Sequence, residues 1–235
     1  MKTSVVLSIA GAIVAGTAAH GATVAYWAFP VPAQTPNYGM TWPIAADASV
    51  NPGATLDTDA PKYDGSPAPN ALAQGSMQYF TGSGVNLQPT YSIGQAISMR
   101  NDSLDRAQGK SLILSFSTLG EVDLVLSYAE RYTSTSATGV TIQYSTDGVA
   151  YTPFTNYATT RDGAFAATAR VIDLSSVDAL ENIATAYLKI TFTGFNVNGT
   201  GTARIDNILV ESIPAPGALG LLGAAGLVLA RRRRN

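Results

Sequence analysis

Hydrophobic residues in the middle of this chain recur at every second position, and that period constrains the fold more than any other feature of the sequence. Leu112, Leu114 and Phe116 alternate with Ser111, Ser115 and Ser117, with Ile113 as the one interruption. Leu124, Leu126 and Tyr128 alternate with Asp123 and Ser127, and Val140, Ile142 and Tyr144 with Thr141, Gln143 and Ser145. Leu188, Ile190 and Phe192 repeat the arrangement against Lys189, Thr191 and Thr193. A strand turns successive side chains to opposite faces, so each run predicts a half-buried antiparallel strand. Asp147-Gly148 predicts a hairpin before a Tyr151–Phe154 strand, because both residues tolerate positive φ. Thr23–Phe29 reads as a terminal strand, and Ser175–Asn182 as one short helix capped by Ser175 or Ser176, with Asp178 in its first turn. The proline-rich stretch from Pro30 to Pro69 favours loops and edge segments. The expected fold class is all-β, an antiparallel β-sandwich of jelly-roll type, formed by one domain over residues 23–212.

The two ends read differently from the body. Lys2, the apolar run Val5–Ala15 and the small residues up to Ala22 follow the order of a secretory signal peptide, which assigns residues 1–22 to a leader. At the other end, Gly217–Ala230 carries no charge and is followed by Arg231, Arg232, Arg233 and Arg234. Fourteen residues make a helix of about 21 Å, short of the roughly 20 residues that cross a bilayer comfortably. Gly217, Gly220, Gly223 and Gly226 leave a narrow surface suited to close packing against another helix in lipid. The arginines predict a cytoplasmic anchor, placing everything before Pro214 on the far side of the membrane.

Residues 213–235 resemble the sorting tail of PEP-CTERM proteins, exported by Gram-negative bacteria that make exopolysaccharide. The motif before the helix reads Pro214, Ala215, Pro216, so the family's glutamate is replaced by Ala215. The resemblance implies an exosortase-type membrane peptidase acting on the tail, export across the inner membrane, and residence at the cell surface or in an exopolysaccharide matrix. Ile142–Gly148 is similar to a strand hairpin of discoidin-like and carbohydrate-binding sandwiches, and Thr202–Val210 to the closing strand of jelly-roll modules.

Removing both ends leaves nine basic residues against sixteen acidic ones, a body that repels nucleic-acid phosphates. There is no cysteine, so stability must come from core burial or bound metal. The only histidine is His20, within the leader, which removes serine–histidine and histidine-base chemistry and the usual zinc sites from the mature domain. What remains is chemistry by carboxylate, tyrosine, lysine or calcium.

Three sets of candidates follow. Asp57, Asp59 and Asp64 form an oxygen-rich loop of the kind calcium prefers; Pro61 stands where an EF-hand would need its third ligand. Asp206 joins them through the jelly-roll resemblance, in which an aspartate of the closing strand holds a structural calcium. Glu121-Val122-Asp123 resembles the carboxylate string of laminarinase-like glycoside hydrolases but lacks the second glutamate that would protonate a glycosidic oxygen. Trp27, Trp42, Tyr151 and Tyr157 are candidates for stacking on sugar faces, the alternative being ordinary strand aromatics. The expected function is a non-catalytic structural or glycan-binding protein, with a carboxylate-dependent polysaccharide-processing enzyme as the alternative.

Overall fold

The computed structural model describes residues 21–30, 41–62, 76–101 and 106–213. The expected leader, the sorting tail and Asp64 lie outside the described residues. Thirteen strands follow in chain order: β1 Ala22–Trp27, β2 Ile44–Ala45, β3 Ala48–Ser49, β4 Thr55–Thr58, β5 Met77–Thr81, β6 Gln95–Arg100 and β7 Ser111–Phe116. The remainder are β8 Leu124–Tyr132, β9 Gly139–Ser145, β10 Thr152–Ala158, β11 Arg170–Asp173, β12 Ala186–Thr193 and β13 Thr202–Ser212.

They form two antiparallel sheets, packed as a jelly-roll β-sandwich. The second sheet runs β10-β9-β12-β7-β4-β2. In the first, β11-β8-β13 continues on the far side of β13 along two branches: β6 and then β5 beside its first half, β1 and then β3 beside its second. The alternation maps onto these layers. Leu56, Leu114, Leu188, Ile190 and Phe192 of the second sheet pack with Val24, Ile97, Tyr128 and Ile205 of the first in one core. Each fully buried aliphatic side chain contributes about 1.5–3 kcal/mol relative to exposure, which is how a chain without disulfides holds two sheets together.

One local expectation is corrected, and another, the Asp147-Gly148 hairpin, forms with Gly148 alone at positive φ. The Ser175–Asn182 helix is a single 3-10 turn, Asp178–Leu180, whose flanking Val177 supplies no side-chain cap. In the β9–β10 hairpin only Gly148 has positive φ, at 73°. Asp147 instead closes the turn with its carboxylate, accepting the N–H groups of Val149 and Ala150 at 2.8 and 2.9 Å and the Ser145 hydroxyl at 2.8 Å. Those bonds, the Val149 N–H first, hold its pKa below the usual carboxylate value.

β13 is bent where its neighbour changes. Its register with β8 shifts between Asp206 and Leu209, and Asn207 adopts φ 49°. At this bulge β6 ends and β1 begins, which would strand backbone groups. Side chains satisfy them: Asp206 Oδ2 accepts the Ser83 N–H at 2.5 Å, and Asn207 Nδ2 donates to the Ser83 and Val85 carbonyls, both at 2.8 Å. Asn86 donates to the Asn207 carbonyl and to Ser127 Oγ, so the loop after β5 is laced onto this part of the first sheet. That explains why Ser127 of β8 is buried despite its polar-face position.

Candidate functional site

Among the described residues two places gather polar and titratable side chains. The first lies at the open edge of the sandwich, where β11 edges one sheet and β10 the other. Glu130 on β8 points inward there and is only 5% exposed. Its Oε1 accepts Nε and Nη2 of Arg170 at 3.0 and 2.6 Å. Its Oε2 accepts the hydroxyls of Tyr132 and Tyr157 at 2.9 and 2.7 Å. The Tyr128 and Tyr157 hydroxyls meet at 2.7 Å, and Arg170 lies over the Tyr157 ring at 4.1 Å. Burial raises the pKa of all three tyrosines, so they stay protonated and donate. Burial pulls the Arg170 pKa down, but its bonds to Glu130 outweigh this and raise it. A cavity of about 80 Å³ opens against the cluster, lined by Asp162 and Thr160 as well as by Glu130, Tyr132 and Arg170.

The second place is the outer face of the second sheet. Cross-strand register puts Gln143, Lys189, Ile113 and Asp57 in one row, and Thr141, Thr191 and Ser111 two residues along. Lys189 Nζ lies 3.3 Å from Asp59 Oδ2 and 5.1 Å from the centre of the Tyr151 ring. The Tyr187 ring stands beside the β9–β10 turn, where a Cβ on Gly148 would come within 3.0 Å of it. Tyr151 has its pKa raised, by burial first and then by Tyr187, Asp147 and Asp59 nearby. Two partly exposed tyrosines thus flank a lysine–aspartate pair above a ladder of hydroxyl and amide groups.

The sequence candidates are dispersed among these features. Glu121 and Asp123 are not alternating residues of a strand. They precede β8, and Asp123 sits at φ 51°, its N–H donating to Glu181 Oε1 at 2.9 Å. Glu121 accepts the Ser212 hydroxyl, so the string closes the end of the sheet and presents no common face. Asp57 pairs with Lys62 at 2.5 Å, and Asp59 also accepts the Ser111 N–H at 2.6 Å. Asp206 lies on the other sheet, 1% exposed, its pKa raised to about 7 by burial against the lowering effect of the Ser83 and Asn207 N–H groups. Among the described residues no three metal-ligating side chains converge.

The aromatics also separate. Trp27 is fully buried, its Nε1 donating to the Ile44 carbonyl at 3.3 Å. Trp42 packs on the core beneath Lys62, and Tyr157 belongs to the Glu130 cluster. Of the four, only Tyr151 joins the outer face. Tyr187, Lys189 and Glu130 were missed, since in the sequence each is one residue of a regular strand.

No family model matches the sequence, and no curated protein is similar to it. Solved structures are. One is the carbohydrate-binding module TmCBM27, described for specific mannan recognition, at 10% identity and TM-score 0.41, covering 82% of this chain and 99% of that one. Another is TmCBM61 in complex with β-1,4-galactotriose, at 9% identity and TM-score 0.40, covering 67% and 88%. A third is a family 32 module from a glycoside hydrolase of Clostridium perfringens, at 17% identity and TM-score 0.34, covering 67% and 94%. None of the three reaches a TM-score of 0.5, and the fold assignment rests on strand register and layering.

Proposed function

We propose that this is an exported, non-catalytic β-sandwich protein that holds glycan at the cell surface or in an exopolysaccharide matrix, through the outer face of the second sheet. The observation that carries the reading is the placement of Tyr151 and Tyr187 beside Lys189 on a partly exposed row of Gln and Thr. Aromatic rings take the apolar face of a pyranose, while hydroxyl, amide, ammonium and carboxylate groups at fixed spacing take its hydroxyls. Strand register holds these groups rigidly, which lowers the ordering cost of binding. Affinity electrophoresis through gels containing a neutral β-glucan or mannan tests it. Retardation of the protein, lost in Tyr187→Ala and Tyr151→Ala while the melting temperature is kept, is the expected result. Equal mobility with and without each polysaccharide contradicts it.

Glu130 favours a second reading, a carboxylate-dependent polysaccharide-processing enzyme, because Asp162 lines the same cavity and glycoside cleavage uses two carboxyl groups across a small gap. Against it, both oxygens of Glu130 are already taken by four hydrogen bonds, which leaves little freedom to act as acid or nucleophile. Release of reducing sugar that is abolished by Asp162→Asn would establish the enzyme.

A further inference from the structure

Arg131 on β8 and Arg204 on β13 are direct cross-strand partners, so both guanidinium groups leave the same outer face of the first sheet. Like charges placed opposite each other destabilise a sheet, and in an acidic protein a carboxylate would be the expected neighbour. Among the described residues neither arginine forms an ion pair. The nearest acids in the same strands are committed elsewhere: Glu130 faces inward to Arg170, and Asp206 is held by the Ser83 and Asn207 N–H groups. Burial first, and then the charge of Arg131, pulls the Arg204 pKa down to about 10.

The row around the pair is organised and incompletely satisfied. Arg204 lies over the Phe80 ring, its Cζ 3.8 Å from the centre, and its Nε donates to Thr202 Oγ1 at 3.2 Å, which holds its fork in place. Arg204 is also the register partner of Ser98, which is fully buried. Ser98 Oγ and Arg131 Nε are both buried without a hydrogen-bond partner. Buried donors left unmade cost about 1–3 kcal/mol each, so two of them beside an unneutralised pair of cations mark a place built for a group that accepts hydrogen bonds and carries negative charge.

We propose that Arg131 and Arg204 bind a single oxyanion, the carboxylate of a uronic-acid residue carried on an otherwise neutral glycan. A guanidinium fork matches a carboxylate in two parallel bonds. One such group, shared between the two forks, offsets half the charge of the pair and relieves their mutual repulsion, whereas a dense polyanion is repelled by the sixteen acidic residues of the body. The proposal deepens the glycan reading and depends on it only for the carrier of the anion.

The test is titration of the purified full-length protein with D-glucuronate, D-glucose and inorganic sulfate by NMR, alongside gels containing a uronate-bearing heteropolysaccharide. Arg204→Gln and Arg131→Gln should each weaken glucuronate binding by about tenfold or more, leave retardation by neutral glucan unchanged, and keep or raise the melting temperature, since like-charge repulsion is relieved. Tyr187→Ala should do the reverse, losing neutral glucan and keeping glucuronate, so the two sites fail separately. Wild-type affinity for glucuronate in both arginine variants overturns the proposal. So does binding of sulfate without glucuronate, which would make the pair a site for free inorganic anions, or a fall in melting temperature with no change in binding, which would make it structural.

Discussion

Glu130 of the first sheet and Tyr157 of the second are joined by a 2.7 Å hydrogen bond across the open edge of the sandwich. The bond ties the edge strand β10 to β8 and sits at the centre of a network of one buried carboxylate, three phenols and one guanidinium whose side chain is 36% exposed. That exposure places the loss of the carboxylate at the low end of the about 3–5 kcal/mol for breaking a buried pair. Glu130→Gln should lose about 3 kcal/mol in urea denaturation, with Arg170 left without its carboxylate. Tyr157→Phe should lose less, about 1 kcal/mol, because only hydroxyl bonds go. Equal, near-zero effects would show that the edge is held by apolar packing alone.

Asp206 gives the protein a pH dependence of definite sign. Its folded pKa is raised to about 7 from the ordinary carboxylate value of 3.8, so between those values the native state holds a proton that the unfolded chain has released. Stability should therefore fall as pH rises from about 4 to about 7, by an upper bound on the order of 4 kcal/mol. Asp47, also raised by burial, contributes with the same sign. Asp206→Asn should flatten the slope in denaturation curves taken from pH 4 to 8. Calcium held at Asp206 would favour the carboxylate and also flatten it, so repeating the series with calcium and with chelator reads the cation expectation directly.

Asn207 is strained and indispensable for a different reason. At φ 49° it tolerates the bulge, and its side chain makes two bonds to the carbonyls of the loop after β5 while accepting the Tyr26 hydroxyl at 3.1 Å. Asn207→Gly keeps the backbone and loses the bonds; Asn207→Ala loses both. We expect losses of about 2 and about 3 kcal/mol, in that order, and faster amide exchange at Ser83 and Val85 in both. Slow exchange there would mean that the loop is fixed by other contacts.

Gly148 links fold to site. With φ 73° and the Tyr187 ring in its way, a methyl group at this turn must push the ring aside. Gly148→Ala should cost about 1 kcal/mol of stability and, by displacing the Tyr187 ring, weaken retention by neutral glycan with every residue of the face kept. Unchanged retention would detach Tyr187 from binding.

The layers were legible in the sequence because alternation reports burial on one face directly, as in β7, β9 and β12. β8 was less so: the loop after β5 covers its second face, and no local pattern records a contact made some forty residues away. The Glu121–Asp123 string is a related case, since two carboxylates at spacing two share one face only if the backbone is extended, and Asp123 is not. The sites were harder still. Glu130, Arg170 and Tyr157 come from three strands separated by loops, and Arg131 meets Arg204 only through the register of β8 with β13. Nothing in composition or spacing sets that register; the bulge at Asp206 and Asn207 does.

Glycan binding on the outer face of the second sheet is tested most directly by calorimetric titration of the wild-type protein and the Tyr151→Ala/Tyr187→Ala double variant with a neutral oligosaccharide. Saturable binding by the wild type that falls by at least about tenfold in a folded double variant is the expected result. Undiminished binding in the double variant, or none in the wild type, would contradict it.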